Sequence, residues 1–264
     1  NMAGIGTALY NGVNGLRSFS TAVSVVSDNI ANANTVGFKA NSIRFCDFVA
    51  GYYSTVSSFN DREGSGSRPL AVLTNFAQGP IINTSNWSDL AINGKGFFGV
   101  KDASGNIYYT RDGGFYLNKD GKLVNYLGMS VLDKDGNEIT LDIDTYSDFI
   151  VRDNGEIYGI DKTTGEISQN ALATIGLYYF NDPNGLVRVG GNLWREGANA
   201  GKVGPKQPGT EGMGTIMSFA LEGSNVDLSE ELVNMIIYQA DFNANSKVIT
   251  TSADMLNTAV NIVR

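Results

Sequence analysis

Residues 228–263 read LSEELVNMIIYQADFNANSKVITTSADMLNTAVNIV, and apolar or small residues recur along them at alternating steps of four and three. The stepped positions are Leu228, Leu232, Met235, Gln239, Phe242, Ser246, Ile249, Ala253, Leu256, Val260 and Val263. This is a heptad seam. A period of 3.5 residues keeps a stripe on one side of a supercoiled rod, whereas an isolated helix of period 3.6 lets it drift around the axis. Asp227 precedes the stretch with Glu230 three positions later, a capping-box spacing, and Glu230 and Glu231 suit the positive end of a helix dipole. The spacing predicts a helix from Leu228 of roughly 54 Å, far longer than a helix that packs only on a small domain.

The opposite end of the chain repeats the pattern through Leu9, Val13, Leu16, Ser20, Val23, Ser27 and Ile30. The period predicts a helix over about 7–32, broken in NIANANTVGFK (29–39), where asparagines and then Gly37 supply helix-ending conformations. Residues 1–37 carry only Arg17 and Asp28 as charged side chains. A solvent-facing helix of that length is normally laced with Glu and Lys. Apolar residues also lie off the seam, among them Val25, Val26, Val233, Ile236, Ile237 and Val248, so one partner helix does not cover them all. The expected cover is further copies of the same chain.

Between the ends the chain reads as β. From about Phe76 to Ala220, the pairs Asn93-Gly94, Ser104-Gly105, Asp112-Gly113, Asp120-Gly121, Asp135-Gly136, Asn154-Gly155, Thr164-Gly165 and Asn184-Gly185 mark tight turns. They separate short aromatic and β-branched runs such as GFFGV, NIYYT, DFIV and ATIGLYYF. The class expected is α+β: terminal helices paired as a coiled coil, with a central antiparallel domain of sandwich or barrel-like form. The boundaries expected are 1–37 and 224–264 for a discontinuous helical domain, 38–75 for a linker or extended arm, and 76–223 for the β domain. The arm concentrates Gly and Ser over 60–69 but carries Phe45, Phe48, Tyr52, Tyr53 and Phe59, which predicts that it lies against other surfaces.

Composition narrows the chemistry. The 264 residues include no histidine, which removes the commonest general base and metal ligand and every Ser-His or Cys-His nucleophile. Cys46 is the one cysteine, so no intramolecular disulfide or thiolate cluster forms, and its apolar flanks predict a buried, inert thiol. A net charge of -8 repels phosphate backbones and anionic lipid, and no run approaches the length of a membrane span. The start of the chain lacks the basic and apolar regions of a conventional secretory signal. Gly94–Gly99 fits G-x-G-x-x-G, but its phenylalanines read as strand; Asp133–Asn137 resembles a calcium loop without the closing glutamate. Asp142, Asp144 and Asp148 read as a solvated strand edge rather than paired catalytic carboxylates. No catalytic, cofactor-binding or metal-binding residue is assigned.

Three strings carry a resemblance: NGVNGLRSFSTAVSVVSDNIANANTVGFKANSIRF (11–45), AINGKGFF (91–98) with YTRDGGF (109–115), and LEGSNVDLSEELVNMIIYQADFNANSKVITTSADMLNTAVNI (221–262). Together they resemble the bacterial flagellar rod and hook axial proteins. The resemblance implies terminal helices lining a narrow export channel, a β-rich outer domain, and passage through the flagellar type III apparatus without a cleaved signal. It implies as partners further copies of the chain, neighbouring rod and hook-junction proteins, the export apparatus and a cap, without nucleic-acid binding or membrane insertion. The expected place is the hook or basal body, outside the cytoplasm after export. Within the family, NIANANTVGFK, FCDFVAG and LEGSNVDLSEELVNMI look most like a compact, torque-transmitting hook subunit, the alternative being the distal rod subunit. The residues expected to form the assembly seam are Leu9, Val13, Leu16, Val23 and Ile30, with Leu228, Leu232, Met235, Phe242, Ile249, Leu256 and Val260.

Overall fold

The computed structural model of the chain describes residues 2–47 and 66–262. Phe48, Tyr52, Tyr53, Phe59, most of the Gly/Ser-rich stretch and Val263 lie outside the described residues. The chain divides into two compact units, one within residues 1–33, 40–75 and 226–264, the other comprising 34–39 and 76–225.

The first unit holds α1 (Met2–Ala31), a ribbon of β1 (Asn41–Asp47) and β2 (Ser67–Thr74), and α2 (Leu228–Ile262). The first helix therefore begins about a turn earlier than its periodicity suggested, because Met2–Gly6 contains no proline to stop it. It ends in turns over 32–37, and Gly37 takes a φ of 68°, the left-handed conformation the sequence assigned it. The second helix starts at Leu228, where Asp227 Oδ1 accepts hydrogen bonds from the backbone N–H of Ser229 (2.9 Å) and Glu230 (3.2 Å). That is an N-cap satisfying two of the free N–H groups of the first turn. β1 and β2 pair antiparallel with a bulge between Arg44 and Phe45. Cys46 in β1 is half-buried rather than enclosed, because a two-stranded ribbon has two faces.

Every strand pairing in the second unit is antiparallel. Its main sheet runs in the order Val187–Gly190, Leu193–Arg195, Ile107–Thr110, Phe97–Lys101, Ser130–Val131, Leu123–Asn125 and Phe115–Leu117, with Leu177–Phe180 pairing on Phe97–Lys101. The path ends on two open edges, so the unit is not a closed barrel. Of the eight Gly turns read from the sequence, six hold their glycine at positive φ, so the punctuation of the sheet was correctly placed. Gly113 is needed for another reason: a Cβ there would collide with the Leu90 carbonyl oxygen. Gly185 closes a short 3-10 turn, Pro183–Gly185. Asp133–Asn137 is a plain turn, its Asp133 Oδ1 accepting from the N–H of Asp135 and Asn137, both at 2.8 Å.

Inside the sheet, aliphatic residues such as Leu90, Ile92, Val100, Leu123, Ile157 and Ile175 are fully enclosed. A second cluster is aromatic, joining Phe97, Tyr109, Tyr178, Phe180 and Trp194 in edge-on contacts. Burial pushes the Tyr178 hydroxyl up to about 12.

Candidate functional site

The helix pair is built on small residues. The buried positions of α1 are Gly12, Gly15, Ser18, Ala22, Val26 and Asn29, a stripe that lets α2 approach closely. A Cβ at Gly12 would lie 2.8 Å from Ile249 Cγ1, and one at Gly15 would overlap the Asn245 side chain. Facing them, the residues of α2 that lose exposure include Glu231, Met235, Tyr238, Asn245, Ile249, Ser252, Leu256 and Ala259, again mostly at steps of three and four. Of the expected seam residues, Met235, Ile249 and Leu256 therefore lie in this contact. Leu228, Leu232, Phe242 and Val260 are exposed. On α1, Leu9, Val13, Leu16, Val23 and Ile30 are half-buried beside the stripe.

Three features fix the register of this unit. Asn29 is fully buried; its Nδ2 donates to Asn41 O and to Glu231 Oε1, both at 2.7 Å, and its Oδ1 accepts from Asn41 N at 2.9 Å. One side chain thus ties α1 to the ribbon and to the first turn of α2, and burial holds the Glu231 carboxyl above its ordinary range despite that bond. Beside it, Phe19, Phe45 and Tyr238 form an aromatic trio with centroids 5.7, 6.2 and 6.3 Å apart. Ser18 Oγ donates to Ser67 O at 2.8 Å, seating β2 on α1. The sequence had read Asn29 only as part of a helix-ending cluster.

The β unit contains a buried ionic cluster that sequence reading missed altogether. The Glu222 carboxylate, with no exposed surface, accepts from Lys39 Nζ at 2.5 Å, Gly79 N at 2.8 Å and Arg111 Nη1 at 3.0 Å. Lys39 Nζ also donates to Ala77 O, and Arg111 Nη2 to Gly94 O. Gly37 N donates to Glu222 O at 2.7 Å. The arrangement binds the segment that leaves α1 to the strand that leads to α2. Burial pushes both the Lys39 and the Arg111 cations below their ordinary ranges, with the Glu222 charge working against it. Each of these three residues stands in one of the strings that carried the family resemblance, at 11–45, 109–115 and 221–262. Each string carries other charged residues as well, so nothing in the sequence singled these three out.

One carboxylate answers two cations, which also donate to the backbone carbonyls of Ala77 and Gly94, and all three side chains are enclosed by the fold. Among the described residues, no group of three or more His, Cys, Asp or Glu is arranged to hold a metal ion, and no helix is long and apolar enough to cross a membrane. What the molecule offers instead is surface. Leu228, Leu232, Val233, Ile236, Ile237, Phe242, Val248, Met255 and Val260 are exposed on α2. Nine large apolar side chains exposed along the described part of one helix exceed the scattered singles of an ordinary monomer surface.

Three family models match the chain. Residues 91–159 match the flagellar hook protein FlgE/F/G D1 domain, residues 217–262 the flagellar basal body rod FlgEFG protein C-terminal region, and residues 9–39 the flagella basal body rod protein. Among curated proteins, the flagellar basal-body rod protein FlgG of Bacillus subtilis is 36% identical over 97% of this chain and 99% of its own length. FlgG of Borreliella burgdorferi is 31% identical over 97% and 98%. The rod protein FlgF of Caulobacter vibrioides is 34% identical over 96% of each chain. These relatives are named for the rod, which favours the distal-rod alternative over the hook reading drawn from the sequence strings. LEGSNVDLSEELVNMI (221–236) falls in the FlgEFG C-terminal match and NIANANTVGFK (29–39) in the basal body rod protein match, so these strings do not single out the hook.

Proposed function

Since this chain belongs to the bacterial flagellar hook and rod axial protein family, we propose that it is a subunit of the distal rod, a rigid tube whose wall is made of many copies of the chain. Its place in the flagellum and its structural, non-enzymatic role follow from the family. The rod assignment is supported by near-complete collinear similarity to proteins named FlgG. Self-assembly is supported above all by one observation, the apolar surface that α2 leaves exposed after pairing with α1. In this reading the terminal helices of neighbouring copies cover that surface, and the β unit faces outward. The seam residues Leu9, Val13, Leu16, Val23 and Ile30, with Leu228, Leu232, Met235, Phe242, Ile249, Leu256 and Val260, contribute to contacts within and between copies. Burying each large aliphatic side chain is worth about 1.5–3 kcal/mol, and repetition over neighbours makes the sum decisive. Export in a partly unfolded state through the flagellar type III apparatus fits a chain with no disulfide to undo.

The test is concentration-dependent light scattering of the intact chain, followed by electron microscopy of what forms. Straight tubes are expected; curved tubes would return the assignment to the hook. A chain lacking residues 228–264 should stay monomeric. An intact chain that stays monomeric at high concentration defeats the reading.

A further inference from the structure

Five asparagines are followed by glycine: Asn11, Asn14, Asn93, Asn154 and Asn184. In each pair the glycine nitrogen, unshielded by any side chain, neighbours the asparagine's own amide carbon, and the fold decides whether the two can meet. Asn11-Gly12 and Asn14-Gly15 lie inside α1, where helical dihedrals and the backbone hydrogen-bond ladder hold both groups. At Asn93 the Gln78 side chain holds both partners: its Oε1 accepts from Gly94 N at 2.8 Å and its Nε2 donates to Asn93 Oδ1 at 3.5 Å. Asn154 Oδ1 accepts from Glu156 N at 3.2 Å, and Gly155 is buried, its N–H donating to Arg152 O at 2.9 Å. Asn184 differs. It is exposed, its side-chain amide hydrogen-bonds none of the described residues, and its backbone N–H is held by Asp182 Oδ1 at 3.0 Å. Gly185 N donates to Asp182 O at 3.1 Å within one short 3-10 turn, Pro183–Gly185, the weakest of the helical hydrogen-bond geometries.

We propose that Asn184 is the site at which this chain modifies itself by deamidation, with water and hydroxide as the only co-reactants. Hydroxide takes the proton from Gly185 N, and the nitrogen forms a bond to Asn184 Cγ. The Cγ–Nδ2 bond then breaks; Nδ2 takes a proton from water, returning the hydroxide, and leaves as ammonia. A five-membered succinimide remains, with no change of oxidation state. Water adds to one of its two carbonyls. Breaking the Cγ–N bond gives aspartate at 184; breaking the bond between the main-chain carbonyl carbon and N gives isoaspartate, with the backbone now running through Cβ. Either product places a new carboxylate two residues from Asp182, on the turn that leads into Val187–Gly190. The free side chain of Asn184 swings toward Gly185 N without first breaking a bond of its own, whereas Asn93 and Asn154 must each give one up. The reaction needs no partner and stands independently of the rod reading.

The experiment incubates the full chain, kept dilute, in mildly alkaline buffer, digests samples over time and follows the five Asn-Gly peptides by mass spectrometry. Asn184 should exchange its amide for an acid about tenfold faster than Asn93 or Asn154, the effect of one hydrogen bond that need not break. Asn11 and Asn14 should keep their amides. The product at 184 should be a mixture of aspartate and isoaspartate, separable by chromatography, because direct hydrolysis of the side chain gives aspartate alone. Gln78→Ala frees Asn93 and should bring its rate toward that of Asn184, leaving Asn184 unchanged. In concentrated urea the five rates should draw together, since the fold sets their order. Conversion of Asn93 or Asn154 in the folded chain as fast as that of Asn184 overturns the assignment. So does aspartate as the sole product, an Asn93 still as slow in Gln78→Ala, or an order that survives in urea.

Discussion

Replacing Glu222 with Gln isolates the buried ionic cluster with the smallest change of shape. The carboxylate accepts from Lys39 Nζ, Gly79 N and Arg111 Nη1 at 2.5, 2.8 and 3.0 Å, and it is the counter-charge for two cations that lack solvent contact or nearly so. A neutral amide keeps one acceptor but turns a donor toward a cation. Breaking a buried pair from one side costs about 3–5 kcal/mol, against a total stability of about 5–15 kcal/mol for a domain. Lys39, already pushed downward by burial, sheds its proton more readily in the variant, which keeps the loss within that range. Both tryptophans, Trp87 and Trp194, lie in the β unit, so fluorescence in a urea titration reports that unit alone. With a slope of about 2 kcal/mol per molar, the midpoint should fall by about 2 M. Lys39→Met should cost less, because Glu222 keeps Arg111, and the double variant should show a coupling of about 0.5–3 kcal/mol. A midpoint shift under about 0.5 M for Glu222→Gln, or strict additivity in the cycle, would refute the cluster as a determinant of stability.

Two glycines of α1 make a contrasting pair. A Cβ added at Gly6 would meet nothing within 4 Å, so Gly6→Ala should gain about 1 kcal/mol of helix propensity, whereas one at Gly12 would lie 2.8 Å from Cγ1 of the stiff, β-branched Ile249, so Gly12→Ala should lower the helical signal and its melting temperature; equal effects at both sites would show that close helix contact is unimportant. Asn29→Leu keeps the branching of the side chain but removes its polar atoms and strands Asn41 N and the Glu231 carboxyl, and a loss of about 2–4 kcal/mol in helix melting by circular dichroism is expected, an unchanged melt being the contrary result. For alkaline stability the sign follows from Tyr178, whose folded value of about 12 exceeds the ordinary 10.0 of a tyrosine. The proton is held more tightly in the folded state, so its contribution is complete below about pH 10 and lost as pH rises from about 10 to about 12, about 3 kcal/mol in all. Tyr178→Phe should flatten that decline in tryptophan-monitored unfolding, and an unaltered pH slope would rule the residue out as its cause.

The chain's own residues announce both helices, the break at Gly37, the cap at Asp227 and most of the sheet's turns, because each depends on a few neighbours in sequence. Local conformation of that kind is legible: a 3.5-residue period, an Asx residue beside glycine and an acidic first turn act within a handful of positions. Which stripe of each helix meets the other was not legible. α2 is apolar on several faces, so several stripes satisfy the same period, and Leu232 and Phe242 fit a heptad as well as Met235 and Ile249 do. The choice falls to Gly12 and Gly15, whose missing side chains bring the backbones closest where Ile249 and Asn245 lie. Likewise Lys39, Arg111 and Glu222 are separated by more than seventy and one hundred positions, and nothing in their own strings shows that they share one buried site. Local rules decide what each segment becomes; the tertiary structure alone decides which surfaces are spent inside the chain and which remain for another copy, since close approach and charge compensation depend on residues that only folding brings together.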